Sequence, residues 1–134
     1  MTVPRDAEYG LRRYVRGVPG FAVVRVRVTG GGDRSEVVTA VDPDGGPSAS
    51  PEQDPDWFAG AERGCREALA LVGPQRAPLT VRITGVVGTL ADSTPATMRA
   101  AGTMAVLTAL GRAEEYEVVR DPDWRVRRRT SAGS

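Results

Sequence analysis

The chain has 134 residues, 40% of them hydrophobic, which suits one folded domain with one core and excludes both two ordinary domains and a disordered chain. Its formal net charge of +1 points to no polyanion on totals alone, and all 18 basic residues are arginine. The single cysteine, Cys65, excludes an internal disulfide, and the complete lack of His and Lys removes whole classes of chemistry.

Charge is unevenly spread. Residues 1 to 29 hold six Arg and two acids, residues 30 to 74 three Arg and nine acids, and residues 120 to 134 five Arg and two Asp. The ends are basic and the middle acidic. "MTVPRDAEYG" has no hydrophobic signal core and no apolar run reaches bilayer length, so the expectation is a soluble cytoplasmic protein with no membrane partner.

In chain order, residues 1 to 15 are mixed and polar and read as an N-terminal arm, after which Gly17, Pro19 and Gly20 punctuate. "FAVVRVRVTG" sets Val24, Val26 and Val28 against Arg25, Arg27 and Thr29, the alternation of a half-buried strand. "GGGD" and then "SEVVTAV" predict a hairpin through residues 30 to 33 into a second strand. "DPDGGPSASPEQ" is a loop by composition.

Asp54 before Pro55 starts a helix that runs to about Val72 and stops at Gly73 and Pro74. Trp57, Ala61, Cys65, Ala68, Leu69 and Val72 form one apolar stripe, which makes Cys65 a small core residue. "APLTVRITGVVG" is a strand with Leu79, Val81 and Ile83 on one face. Thr94 and Pro95 repeat the helix-start signal, and a helix follows to about Leu110, closed by Gly111. "EEYEVVR" is a candidate last strand, and residues 121 to 134 read as a basic, disordered tail. Strand, strand, helix, strand, helix makes an α+β two-layer sandwich, with residues 16 to 120 as the domain.

Catalytic and metal chemistry is missing. Without His there is no imidazole base and no Ser-His-Asp arrangement, and one Cys without His cannot build an ordinary zinc site. Without Lys there is neither a phosphate-loop lysine nor a Schiff base, and "TGGGDR" reads as a turn. Asp42 and Asp44 fit the first ligand positions of a calcium loop, but Gly46 and Gln53 fall where further oxygen ligands are needed. The expectation is no enzyme, no cofactor and no metal.

The stretch "VRITGVVGTLADSTPATMRAAGTMA" resembles the fourth domain of elongation factor G. There, a strand leads through a tip loop to Asp-Ser-Ser and a helix with an Ala-Gly-Ser-Met-Ala core. Asp92, Ser93 and Thr94 stand at the first motif, and residues 101 to 105 at the second. "RGVPGFAVVRVRV" resembles the family's Gly-rich lead-in and first strand, and "WFAGAERGCREALALVGP" its first helix. The likeness covers roughly residues 16 to 110. It implies a four-stranded sheet backed on one face by two helices, with a left-handed β-α-β crossover. It also implies a tip built from residues 17 to 20 and 88 to 92 that reaches toward the small ribosomal subunit. The family's second tip loop is longer and often carries a His; this one has none. The small residues Thr97, Ala100, Ala101, Gly102, Ala105 and Thr108 would let the second helix lie close to the sheet.

The first functional expectation is a ribosome- or structured-RNA-binding module without GTPase activity. Its candidate contacts are Arg12, Arg13, Arg16, Gly17, Gly20, Thr89 and Leu90 at the tip, and Arg125, Arg127, Arg128 and Arg129 in the tail. The bland reading of the charges is solvated decoration. The alternative function is a protein-interaction module, binding a partner or forming a homodimer, on the same fold with the ribosomal role lost. Tyr9, Tyr14 and Phe21 are the aromatics near the tip, with Phe21 expected in the core.

Overall fold

A computed structural model describes residues 4–73 and 77–130. Its first element is β1, Arg5–Val15, joined to β2, Val18–Gly30, by a two-residue turn. Arg16 and Gly17 both have positive φ, 51° and 80°, and Val15 pairs with Val18. Two consecutive left-handed residues make the turn whose twist matches the strands it joins. Eleven residues of β1 pair with β2, from Arg5 against Val28 to Val15 against Val18.

The reading of residues 1 to 15 as an arm is therefore corrected: from Arg5 onward they are an edge strand of the sheet, and residues 1–3 lie outside the described residues. Ala7, Tyr9 and Leu11 face the helices, while the alternate positions Asp6, Glu8 and Arg12 are exposed. An edge strand that carries charge on its open side shows only a weak apolar alternation.

β3, Glu36–Thr39, is followed by α1, Pro55–Val72, and β4, Leu79–Val87. The sheet order is β1-β2-β4-β3, with β2 antiparallel and β3 parallel to β4. The predicted β2–β3 hairpin does not form. β4 returns from α1 and takes the place between them, so the glycines from Gly30 lead to a strand that is not β2's neighbour. β3, α1 and β4 make a parallel β-α-β unit. In β4, Leu79, Val81 and Ile83 are buried on the helix side as the alternation predicts.

α2, Pro95–Ala109, begins with the cap the sequence announces: Thr94 Oγ1 accepts from Thr97 N, and Thr97 Oγ1 accepts from Thr94 N. Asp54 stands at the α1 cap position but makes no side-chain cap; its backbone carbonyl accepts from Trp57 and Phe58 instead. Gly73, at φ 88°, ends α1, and Gly111, at φ 72°, follows α2.

β5, Tyr116–Arg120, and β6, Trp124–Arg128, form a separate antiparallel pair. The strand expected in "EEYEVVR" is present but joins no strand of the main sheet. The expected disordered tail is corrected for residues 124 to 128, which are strand. Buried Trp124 and Val126 hold them against α2 and the sheet, with the Trp124 ring over Gly20. Residues 131–134 lie outside the described residues.

These layers explain the small side chains of α2. The sheet lies beneath it, α1 on one flank and β5–β6 on the other, and 11 of its 15 residues are buried. Its closest approach is to α1 rather than to the sheet. A Cβ on Gly64 would fall 2.0 Å from the Arg99 carbonyl oxygen, one on Gly60 2.5 Å from that of Pro95, and one on Gly102 2.7 Å from that of Ala61. Thr103 Oγ1 donates to Gly64 O at 2.9 Å across the contact. Cys65, fully buried, sits there as the small core residue expected. No helix among the described residues is long and apolar enough to cross a membrane.

Candidate nucleic-acid interface

The end of the sheet where Val23 pairs with Val87 is where β4 stops and β2 does not. Residues 18 to 22 of β2 therefore project beyond β4 with their β1 partners, Tyr14 and Arg12 among them. The loop from Gly88 to Thr94 folds against this projection. Phe21 N donates to Asp92 O at 2.9 Å, and Ser93 Oγ donates to Phe21 O at 2.6 Å while accepting from Thr89 N at 2.9 Å. Gly88 has no room for a side chain, because a Cβ would meet Met98, Ser93 and the Trp57 ring inside 3.0 Å. The Asp-Ser pair at the helix start thus fastens the loop to β2.

The tip this makes is partly the one expected. Gly17 is the hairpin turn, Arg16 beside it is exposed, and Thr89 and Leu90 are exposed on the loop, Leu90 at 93%. Tyr14 is 74% exposed on the hairpin. Arg12 lies over the Phe21 ring, 5.1 Å from its centroid, a stacked cation on the open sheet face. Arg13, the next strand residue, points to the other face and donates to Val118 O at 3.1 Å.

Three expectations are corrected. Gly20 is buried under Trp124 rather than presented at the tip. Phe21 is half-buried on the open face rather than in the core, because it shares the strand parity of Arg25 and Arg27; that parity was readable in the sequence. The tail arginines are not one free arm. Arg127 pairs with Glu117 at 3.0 Å, Arg128 pairs with Glu115 at 3.3 Å and lies over Tyr116, and Arg125 donates to Asp121 O. Arg128 is four strand residues from the Trp124 end of the hairpin, about 13 Å at strand rise. Arg129 is exposed, with its backbone N–H held by Glu115 O.

Electrostatics elsewhere is local. The Arg27 guanidinium hydrogen-bonds Asp6 at 2.7 and 3.1 Å and holds its carboxyl below the usual range. A hydrogen bond from Arg112 does the same for Glu115, with Arg128 adding to it. Arg25 covers Gly85 and donates to Pro47 O at 2.6 Å, pinning the acidic loop to the sheet. Asp42 accepts from Asp44 N in that loop, and no group of three potential metal ligands occurs among the described residues.

The fold defines a class, the α+β two-layer sandwich with a four-stranded mixed sheet. No family model and no curated protein matches the chain. A crystal structure of a protein from Thermus thermophilus is similar, with a TM-score of 0.62 and 16% identity over 82% of this chain. The chain spans 16% of that protein's length. At this identity the likeness is one of fold.

Proposed function

We propose that the chain is a non-catalytic, cytoplasmic module that binds the ribosome or another structured RNA through the tip, as its resemblance to the fourth domain of elongation factor G implies. The observation that supports this most is the fastening of the 88–94 loop to β2 through Phe21, Asp92 and Ser93. It presents two separate chain segments as one preorganised end, with Leu90 and Tyr14 exposed and Arg12 and Arg16 beside them. Arginine would grip phosphate, and the exposed side chains would pack on splayed bases.

Co-sedimentation with ribosomes from the protein's own source, at about 50 and 200 mM salt, tests the reading. Saturable binding that weakens with salt, and that falls in the double variant Arg12→Ala and Arg16→Ala, is expected. Binding absent at the lower salt, or indifferent to both substitutions, would overturn it and favour a protein partner.

A further inference from the structure

Beside the tip, on the helix side, a groove opens where α1, α2, the start of β2 and the β5–β6 turn meet. Its volume is about 740 Å³, of the order that small-ligand sites occupy. Arg63, Arg99 and Arg120 line it, one each from α1, α2 and β5. Three carboxylates, Asp56, Asp92 and Asp123, line it too, with Pro19 and the loop residue Ala91 among its other walls.

The three guanidiniums differ in how they are held. Glu67 grips Arg99 through Nε and Nη2, both at 2.7 Å, which fixes its plane and leaves Nη1 for another acceptor. Arg63 is exposed and forms no ion pair among the described residues. Arg120 Nε is shielded from water and has no hydrogen-bond partner among them. A buried guanidinium N–H without an acceptor is an unmet donor, and an anionic oxygen is the acceptor it suits best. One arginine from each of three elements lines the same groove, and guanidinium forks suit the several oxygens of a phosphate. The three aspartates would repel a bare anion but accept from hydroxyl or amine donors.

We propose that this groove binds a nucleotide unit, its phosphate among Arg63, Arg99 and Arg120 and its sugar or base donors toward Asp56 and Asp123. A free mononucleotide and one nucleotide of an RNA strand offer the same chemistry. The groove shares Pro19, Ala91 and Asp92 with the tip's two segments, but its arginines come from the helix side while Arg12 stacks on the open sheet face, so substitutions at either set let one reading fail without the other.

The test is an NMR titration of the isotope-labelled full chain with uridine, uridine monophosphate and a short oligouridine. The monophosphate should shift amides in the first turns of α1 and α2 and at residues 120 to 124, whereas uridine should not. Arg63→Ala, at an exposed position, should weaken this about tenfold, the loss of one charged hydrogen-bonding partner. Arg120→Lys should weaken it too, and Arg12→Ala should leave it unchanged. Tighter binding of the oligouridine at the same amides assigns the ligand to an RNA strand, and equal binding to a free nucleotide; both uphold the groove. No shifts at the groove with either phosphorylated probe, or an unchanged affinity in Arg63→Ala, overturns it.

Discussion

Glycine 64 is the residue on which the helix layer closes. Its missing side chain lets the α2 backbone at Arg99 approach where a Cβ would stand 2.0 Å from a carbonyl oxygen, and backbone cannot step aside as a flexible side chain can. Gly64→Ala should cost about 3 kcal/mol in urea unfolding, the upper range for overpacking. Gly32→Ala, with nothing near its Cβ and no positive φ, should be close to neutral. Equal effects would show that helix contact is not the constraint. Cys65 sits in the same seam, where burial pushes its thiol up to about 12. The thiol of the unfolded chain ionises nearer 8.5. The stabilisation is therefore whole below that value and drains away as pH climbs toward the folded one. Between about pH 7 and 10.5 the wild type should lose more stability than Cys65→Ala, as read by urea midpoints. Cys65's place in the core was legible from its helical stripe. That Gly60 and Gly64 repeat at one turn's spacing was also visible, but α1's partner was not, since the stripe of small residues on α2 fits a sheet or a helix equally well.

At the scale of elements, the sequence announced both helices, β2 and β4, because each carries its own period or cap. It hid β1 and β6. Both lie at edges, with Arg, Asp or Glu at their exposed positions, and each is ordered by what it packs on: the hairpin partner Val18 to Val28 for β1, and the remote Gly20 and α2 for β6. One of the remote contacts that hold the β5–β6 hairpin is that of Trp124 on Gly20. A Cβ on Gly20 would stand 2.5 Å from the Trp124 ring, so Gly20→Ala should lift the hairpin. Amides of residues 116 to 128 should then exchange at least tenfold faster, while those of β2 and β4 stay protected. Uniform acceleration across the sheet would mean that the hairpin and sheet open together.

Across the molecule, positive charge was legible by count and misleading by position. The arginines at both ends of the sequence were candidate RNA contacts, one set at the tip and one in a tail. Folding sends Arg12 and Arg16 to the tip and engages Arg127 and Arg128 with Glu117 and Glu115 on the far part of the hairpin. Under the tip reading, replacing Arg127, Arg128 and Arg129 by Ala should reduce ribosome affinity less than the Arg12 and Arg16 double change. Salt slopes from co-sedimentation would check this, and a steeper loss in the tail variant would put the binding surface elsewhere.

The place of β4 between β2 and β3 governs the route by which the chain reaches this structure. The β1–β2 turn needs two residues, so that hairpin can assemble in microseconds. Closing the centre of the sheet must bring Gly30 to Leu79 across roughly fifty residues of chain, and the entropy of that closure is lost before any contact repays it. The seating of β4 against β2 is therefore the step expected to be slow, and β3, whose only sheet partner among the described residues is β4, can join only with it. Until then β2 presents an open edge, and the seam of glycines has nothing to close against.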